Sequence, residues 1–355
     1  MTYLAKSAAW LTGFIPDLPT PFDEAREIDL AAFARLCERQ IEAGVSAIVL
    51  GETTGEASTL TPAEHAKIIR AAVQTCQGRV RVIAGTGSNS TSQAIERTRR
   101  AELAGADAVL SVVPYYNKPM QAGIEAHFQA IAAETALPII LHDVPSRTIR
   151  ELSDDTLSRL SQSRQFIGLR DATGDLARPT RLRSMVPSGF RLLSGDDSTA
   201  PAFFAQGGDG CISLVSNVAP DLCQVIFSIC GQERWQTARF LQRRLAPLSA
   251  VLTRECPAAL KYALHVLGFM RPDIRLPLVE LTDTVKAEVE NAILSIGEDL
   301  SCDTWEEDQL QKSTGRILPV AGNRDQAASP AHLSQAEVTC REECFSCHLG
   351  PGPRI

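Results

Sequence analysis

One theme recurs along the chain and constrains its fold more than any other feature. From residue 14 to about 215, a short run rich in β-branched residues is followed by a loop with Gly, Pro, Ser, Thr or Asn. A helical pattern of Ala, Leu, Arg and Glu then follows. The strand candidates are FIPDL near 14, SAIVL at 46–50, RVIAG at 81–85, DAVLSVV at 107–113, PIILH at 138–142, QFIGLR at 165–170, FRLLS at 190–194 and CISLV at 211–215. Their spacing of roughly 20 to 34 residues accommodates a strand, a helix and two loops, and eight such units in series predict a (β/α)8 TIM barrel rather than an open doubly wound sheet. The domain organisation follows: an N-terminal extension over 1–11, the barrel over 12–218, a C-terminal helical region over 219–300, and a tail over 301–355 expected to be disordered. Within the helical region Pro220, Pro247 and Pro257 are expected to divide the helices, with Pro272 and Pro277 in the loop before the last one.

Composition narrows the partners. With 44% apolar residues, 22% charged residues and a net charge of −7, the chain falls among ordinary soluble globular proteins, and its acidity offers no general attraction to nucleic acid or anionic membranes. A small-molecule substrate is favoured. No segment approaches the 18 or so apolar residues of a spanning helix, and the N-terminus lacks the apolar stretch of a signal peptide, so a cytoplasmic protein is expected. Of the ten cysteines, six are scattered singly and four fall within Cys302–Cys347. Cys211, Cys223 and Cys230 read as small core hydrophobes. Cys344-Phe-Ser-Cys347-His348 matches the haem-attachment pattern, but without an export signal it is read as part of an inert tail; neither metal nor cofactor is expected.

Functional groups of a barrel gather where strands end. Here those loops carry GETTGE at 51–56, GTGSNS at 85–90, PYYN at 114–117, HDVPSRT at 142–148, DATG at 171–174 and GDD at 195–197. Hydroxyls and backbone N–H groups of such loops suit a carboxylate, and Arg147 can grip a second one bidentately. GTGSN lacks the third glycine and acidic partner of a dinucleotide loop.

On TTGE, GTGSN, PYYN, VPSRT, ATGD and SGDDS, in this order, the chain from about residue 12 to about 298 resembles the dihydrodipicolinate synthase family of the pyruvate-dependent N-acetylneuraminate lyase superfamily. The resemblance implies condensation of a 2-oxo acid, pyruvate, with a small aldehyde, aspartate semialdehyde, in lysine and diaminopimelate biosynthesis. It implies a Schiff-base lysine on strand six, a Thr–Tyr–Tyr proton relay with one tyrosine from a neighbouring subunit, and a homotetramer built from tight dimers. By motif, Thr53 and Tyr116 match relay members, Thr54 and Ile212 match pyruvate contacts, and Arg147 matches the semialdehyde contact.

Two positions depart from the family pattern. Arg170 occupies the Schiff-base lysine's place in GLRDATG, and His142 replaces the tyrosine before the VPSR motif. Guanidinium stays protonated above about pH 12, so Arg170 is not expected to form an imine. Of the six lysines, Lys118 after PYYN is the one nearest the mouth. His142 can serve as a base near pH 7, and Asp143 is a candidate orienting partner, although adjacent strand residues point to opposite faces. Three readings follow: a lyase in which Arg170 polarises the oxo acid electrostatically, a non-catalytic or redirected 2-oxo-acid-binding paralogue, and a sugar-acid lyase or hydrolase run by His142.

Overall fold

The computed structural model describes residues 8–298. The tail from 301, with its Cys344–His348 motif, lies outside the described residues. Eight parallel strands appear where the sequence pattern predicts them: β1 (Gly13–Pro16), β2 (Ala47–Leu50), β3 (Arg81–Gly85), β4 (Ala108–Val112), β5 (Ile139–Asp143), β6 (Phe166–Asp171), β7 (Arg191–Ser194) and β8 (Gly210–Ser213). They are hydrogen-bonded in the order β1-β8-β7-β6-β5-β4-β3-β2. The remaining seam, between β1 and β2, is closed by a parallel bridge from Asp17 to Val49, with Leu18 N donating to Val49 O at 2.8 Å. The result is a (β/α)8 barrel.

Helices α1 (Leu30–Glu42), α2 (Pro62–Cys76), α3 (Thr91–Leu103) and α4 (Gln121–Ala132) follow the first four strands. The VPSRT motif forms one helical turn, α5 (Pro145–Thr148), and α6 (Asp154–Ser161), α7 (Arg178–Arg183) and α8 (Ala200–Ala205) complete the outer ring. Start signals are local. Asp29 accepts from Ala32 N at α1, and Thr61 and Glu64 form a capping box ahead of α2 with Pro62 in its first turn.

The period-2 alternation of the strands sorts their side chains into two layers. Ile15, Val49, Ile83, Leu110, Ile140, Leu193 and Ile212 pack together as the barrel interior, joined by Leu11. Ile48, Leu50, Val82, Val109, Ile139 and Leu141 belong instead to the cluster shared with the helices. Four further helices, α9 (Pro220–Gly231), α10 (Trp235–Arg254), α11 (Ala258–Val266) and α12 (Asp283–Glu298), form the C-terminal region, where Cys211, Cys223 and Cys230 lie buried in an apolar cluster. Pro220 opens α9 and Pro257 caps α11, but Pro247 sits inside α10 without ending it. Leu241, Leu245, Leu248, Val251 and Leu252 are buried on both sides of that proline, so packing holds the helix together across the missing N–H.

A charged lock ties β5 and β6 to α7. Arg178, buried at the start of α7, pairs with Asp143 and Asp154 at 2.8 Å each and with Asp171 at 3.4 Å. Burial works against its charge, but Asp171 and Asp143 outweigh that and hold its pKa above the usual guanidinium range. Asp143 in turn is pushed up to about 6, first by burial, with Arg178 opposing. Removing the cation strands two buried carboxylates, so Arg178→Ala is expected to lower stability by about 3–5 kcal/mol, read as the shift in urea-unfolding midpoint at constant slope.

Candidate active site

At the C-terminal ends of the strands the same alternation turns charged groups inward. Asp17 stands two residues after the interior Ile15, and His142 two after the interior Ile140. The β5–β6 register sets His142 directly beside Arg170. Arg170 Nη1 donates to Asp17 Oδ2 at 3.0 Å, with both side chains buried. His142 Nδ1 lies 3.4 Å from Glu52 Oε2, again with both buried. Gly85 makes room for that carboxylate: a Cβ on this residue would come within 2.8 Å of Glu52 Cγ and Oε1.

These four groups tune one another. Burial pushes the Asp17 carboxyl up to about 6, with the Arg170 charge opposing and Glu52 adding to the rise. Burial also holds His142 below its usual value, helped by the Arg170 charge and opposed by Glu52, so the ring is neutral near pH 7. Thr54 is buried with its hydroxyl against Asp17 and 4.0 Å from Cys256 Sγ. Burial, then the Asp17 charge, raise the Cys256 thiol to about 11, which leaves it a neutral wall and not a nucleophile.

The residues expected from the motifs fall into two groups. Thr54, His142, Arg170 and Ile212 are buried at or beside the centre. Thr53 and Arg147 are exposed, although the Arg147 charge acts on His142 and Cys256 from the rim. Tyr116 is 86% exposed, with a left-handed backbone at φ 72°, and within this chain it stands apart from the buried set. Asp143 does not orient His142; it faces the opposite way and binds Arg178, as the strand alternation requires. The carboxylate that faces the ring is Glu52, 3.4 Å from Nδ1 without a formed hydrogen bond.

Asp17, Glu52 and Cys256 are absent from the motif reading. Asp17 was accessible through its spacing from Ile15; Glu52 sits in a turn with no period, and Cys256 arrives from the far end of the chain. No described lysine can take over imine chemistry. Lys67 and Lys118 are exposed, and Lys261 is fully enclosed, paired with Glu56, donating to Asp273 O at 2.8 Å and capping the Phe22 ring. Burial lowers Lys261 to about 8, yet nothing opens it to a substrate.

The model of the dihydrodipicolinate synthetase family matches residues 10–296. The chain belongs to that family. It is 42% identical over 289 residues to the 4-hydroxy-tetrahydrodipicolinate synthase of Bartonella bacilliformis, covering 81% of this chain and 98% of the relative. The Rhizobium meliloti enzyme of the same name is 45% identical over 287 residues, covering 80% and 98%. Among solved structures, the chloride-inhibited dihydrodipicolinate synthase of Acinetobacter baumannii, complexed with pyruvate, superposes with a TM-score of 0.78 at 39% identity, covering 81% of this chain and 99% of that one. Membership makes the chain an enzyme of the lyase class. No described helix is long and apolar enough to cross a membrane.

The Asp17 value carries a sign that can be measured. Its folded pKa of about 6 exceeds the ordinary 3.8, so the folded chain holds this proton more tightly than the unfolded one. The stability it contributes is fully present below pH 3.8 and is lost as pH rises through about 6. Relative to Asp17→Asn, the wild type is expected to lose stability by ~3 kcal/mol across that window; parallel denaturation curves at pH 4, 5, 6 and 7 measure it, and a constant difference contradicts the assignment.

Proposed function

We propose that this family member condenses pyruvate with aspartate semialdehyde in the manner of a 4-hydroxy-tetrahydrodipicolinate synthase, in the lysine and diaminopimelate pathway. The carrying observation is the near-complete coverage by enzymes of that name together with the placement of the motif residues. Thr54 and Ile212 line the buried strand ends, with Arg147 at the rim where a second carboxylate would arrive. In this reading Arg170 polarises the oxo group, His142 moves protons, and Thr53 and Tyr116 act from the exposed rim. The exposure of Tyr116, Met120 and Ile149 supports an assembly of copies, a homotetramer by family resemblance, in which the relay tyrosine serves a neighbouring centre. The free state of the six described cysteines fits the reducing cytoplasm.

A second reading is favoured by the Arg170–Asp17 pair, which fills the position of the covalent nucleophile: a 2-oxo-acid binder whose chemistry is lost or redirected. The two readings separate in a coupled assay with pyruvate and aspartate semialdehyde, run beside calorimetry with pyruvate. Turnover by the wild type supports the first. Binding without turnover selects the second, and absence of pyruvate binding removes both.

The pair also dictates how lysine chemistry could be restored. A lysine at position 170 beside the Asp17 carboxylate is held protonated and is a poor nucleophile. Borohydride trapping with pyruvate is therefore expected to label Arg170→Lys weakly and Arg170→Lys combined with Asp17→Asn several-fold more. Equal labelling of the two would show that Asp17 does not control the position.

A further inference from the structure

We propose that the buried set Asp17–Arg170 and Glu52–His142 enolises a bound 2-oxo acid directly, without an imine, with His142 as the base. This rests on the 2-oxo-acid reading above and names the chemistry of that same centre. Four observations carry it. Arg170 stands where covalent chemistry would need a lysine, and no described lysine lines the centre. Arg170 uses Nη1 for Asp17 at 3.0 Å, while its buried Nε has no hydrogen-bond partner among the described residues, so the guanidinium's donors are not all spent within the protein. The register places His142 on the adjacent strand at the same level. Finally, the Glu52 carboxylate approaches the buried Nδ1 to 3.4 Å, a charge contact and not a formed hydrogen bond, so the counter-charge stands on the Nδ1 side of the ring.

The step balances within these groups. With Nδ1–H turned toward Glu52, the Nε2 lone pair takes a proton from the carbon next to the carbonyl. The C–H electron pair forms the carbon–carbon double bond, and the carbonyl π pair moves onto the oxygen. The resulting enolate oxygen carries a negative charge beside the Arg170 guanidinium, and the imidazolium that forms lies beside the Glu52 carboxylate. Charge therefore develops where a fixed counter-charge already stands. Asp17 and Glu52 act as positioning residues, the first on Arg170 and the second on His142. The enolate can then be reprotonated, or attack an aldehyde if one is bound. The charged groups that face His142 are Arg170 from β6, Arg147 from the loop after β5 and Glu52 from the loop after β2, so its titration reports this centre.

The test is exchange of the pyruvate methyl protons for deuterium in heavy water, followed by NMR on the full-length protein. Pyruvate binding is measured by calorimetry, and adduct mass is measured after borohydride treatment. The wild type is expected to exchange well above the buffer rate with no reduced adduct, and His142→Asn to lose roughly 100-fold or more. Because the Glu52 charge favours the imidazolium, Glu52→Gln is expected to move the acid limb of the exchange profile to lower pH, which a merely structural residue would not do. Pyruvate bound without exchange overturns the proposal while leaving the 2-oxo-acid reading intact. A reduced lysine adduct also overturns it, and an unmoved acid limb in a folded Glu52→Gln removes the dyad. If pyruvate does not bind at all, both readings fall.

Discussion

The ion pair between Asp17 and Arg170 is the interaction on which the rest of the centre depends. A guanidinium brought into a barrel interior loses several kcal/mol of hydration, and only a well-placed carboxylate with further hydrogen bonds offsets that. Asp17 supplies the carboxylate, although its Oδ1 and the Arg170 Nε are left without hydrogen-bond partners among the described residues. Its backbone bridges to Val49 and closes the last seam of the barrel, and its side chain, two residues beyond Ile15, turns inward onto Arg170. The same closure that completes the sheet therefore also fixes the counter-charge. Burial above all pushes the Asp17 carboxyl up to about 6, against the Arg170 charge, and Glu52 adds to the rise.

The outward faces of β5 and β6 support the inward ones. On both strands the residue after the inward group is an aspartate, Asp143 after His142 and Asp171 after Arg170, and both are held by Arg178. Because alternate residues face opposite sides, fixing the outward carboxylates fixes the inward ring and guanidinium as well. A single cation at the start of a helix thereby sets the orientation of two groups it never touches. It also uses rigid strands rather than loops to do so, the arrangement best suited to a pair whose separation decides whether charge is stabilised.

Much of this was legible in the chain. The eight βα units, the order of the loops and the strand positions of His142, Arg170 and Ile212 follow from β-branched runs, period-2 alternation and motif spacing. What escaped did so for physical reasons. Asp17 lies one residue past β1, where only its spacing from Ile15 marks it, and Glu52 sits in a turn that has no period to betray its direction. Pro247 looked like a break, yet local propensity yields to leucines buried on both sides of it. Thr53 and Tyr116 match motifs but are exposed in this chain, a difference that motif spacing does not carry.

Arginine in a lysine's place is usually read as loss of function, because the covalent route closes. That inference weighs only one side of the exchange. Lysine works in such a site by becoming neutral, so its surroundings must disfavour charge. Arginine stays charged, so its surroundings must favour charge, and a carboxylate as close as Asp17 would be harmful to a nucleophilic lysine. Asp17 beside Arg170, and Glu52 beside His142, are surroundings suited to fixed charge and ill suited to a neutral lysine. Two buried charged pairs are costly to folding, since replacing both partners of such a pair by apolar residues is often neutral or stabilising. In the reading proposed above, that cost is offset by what the charges do for a bound oxyanion.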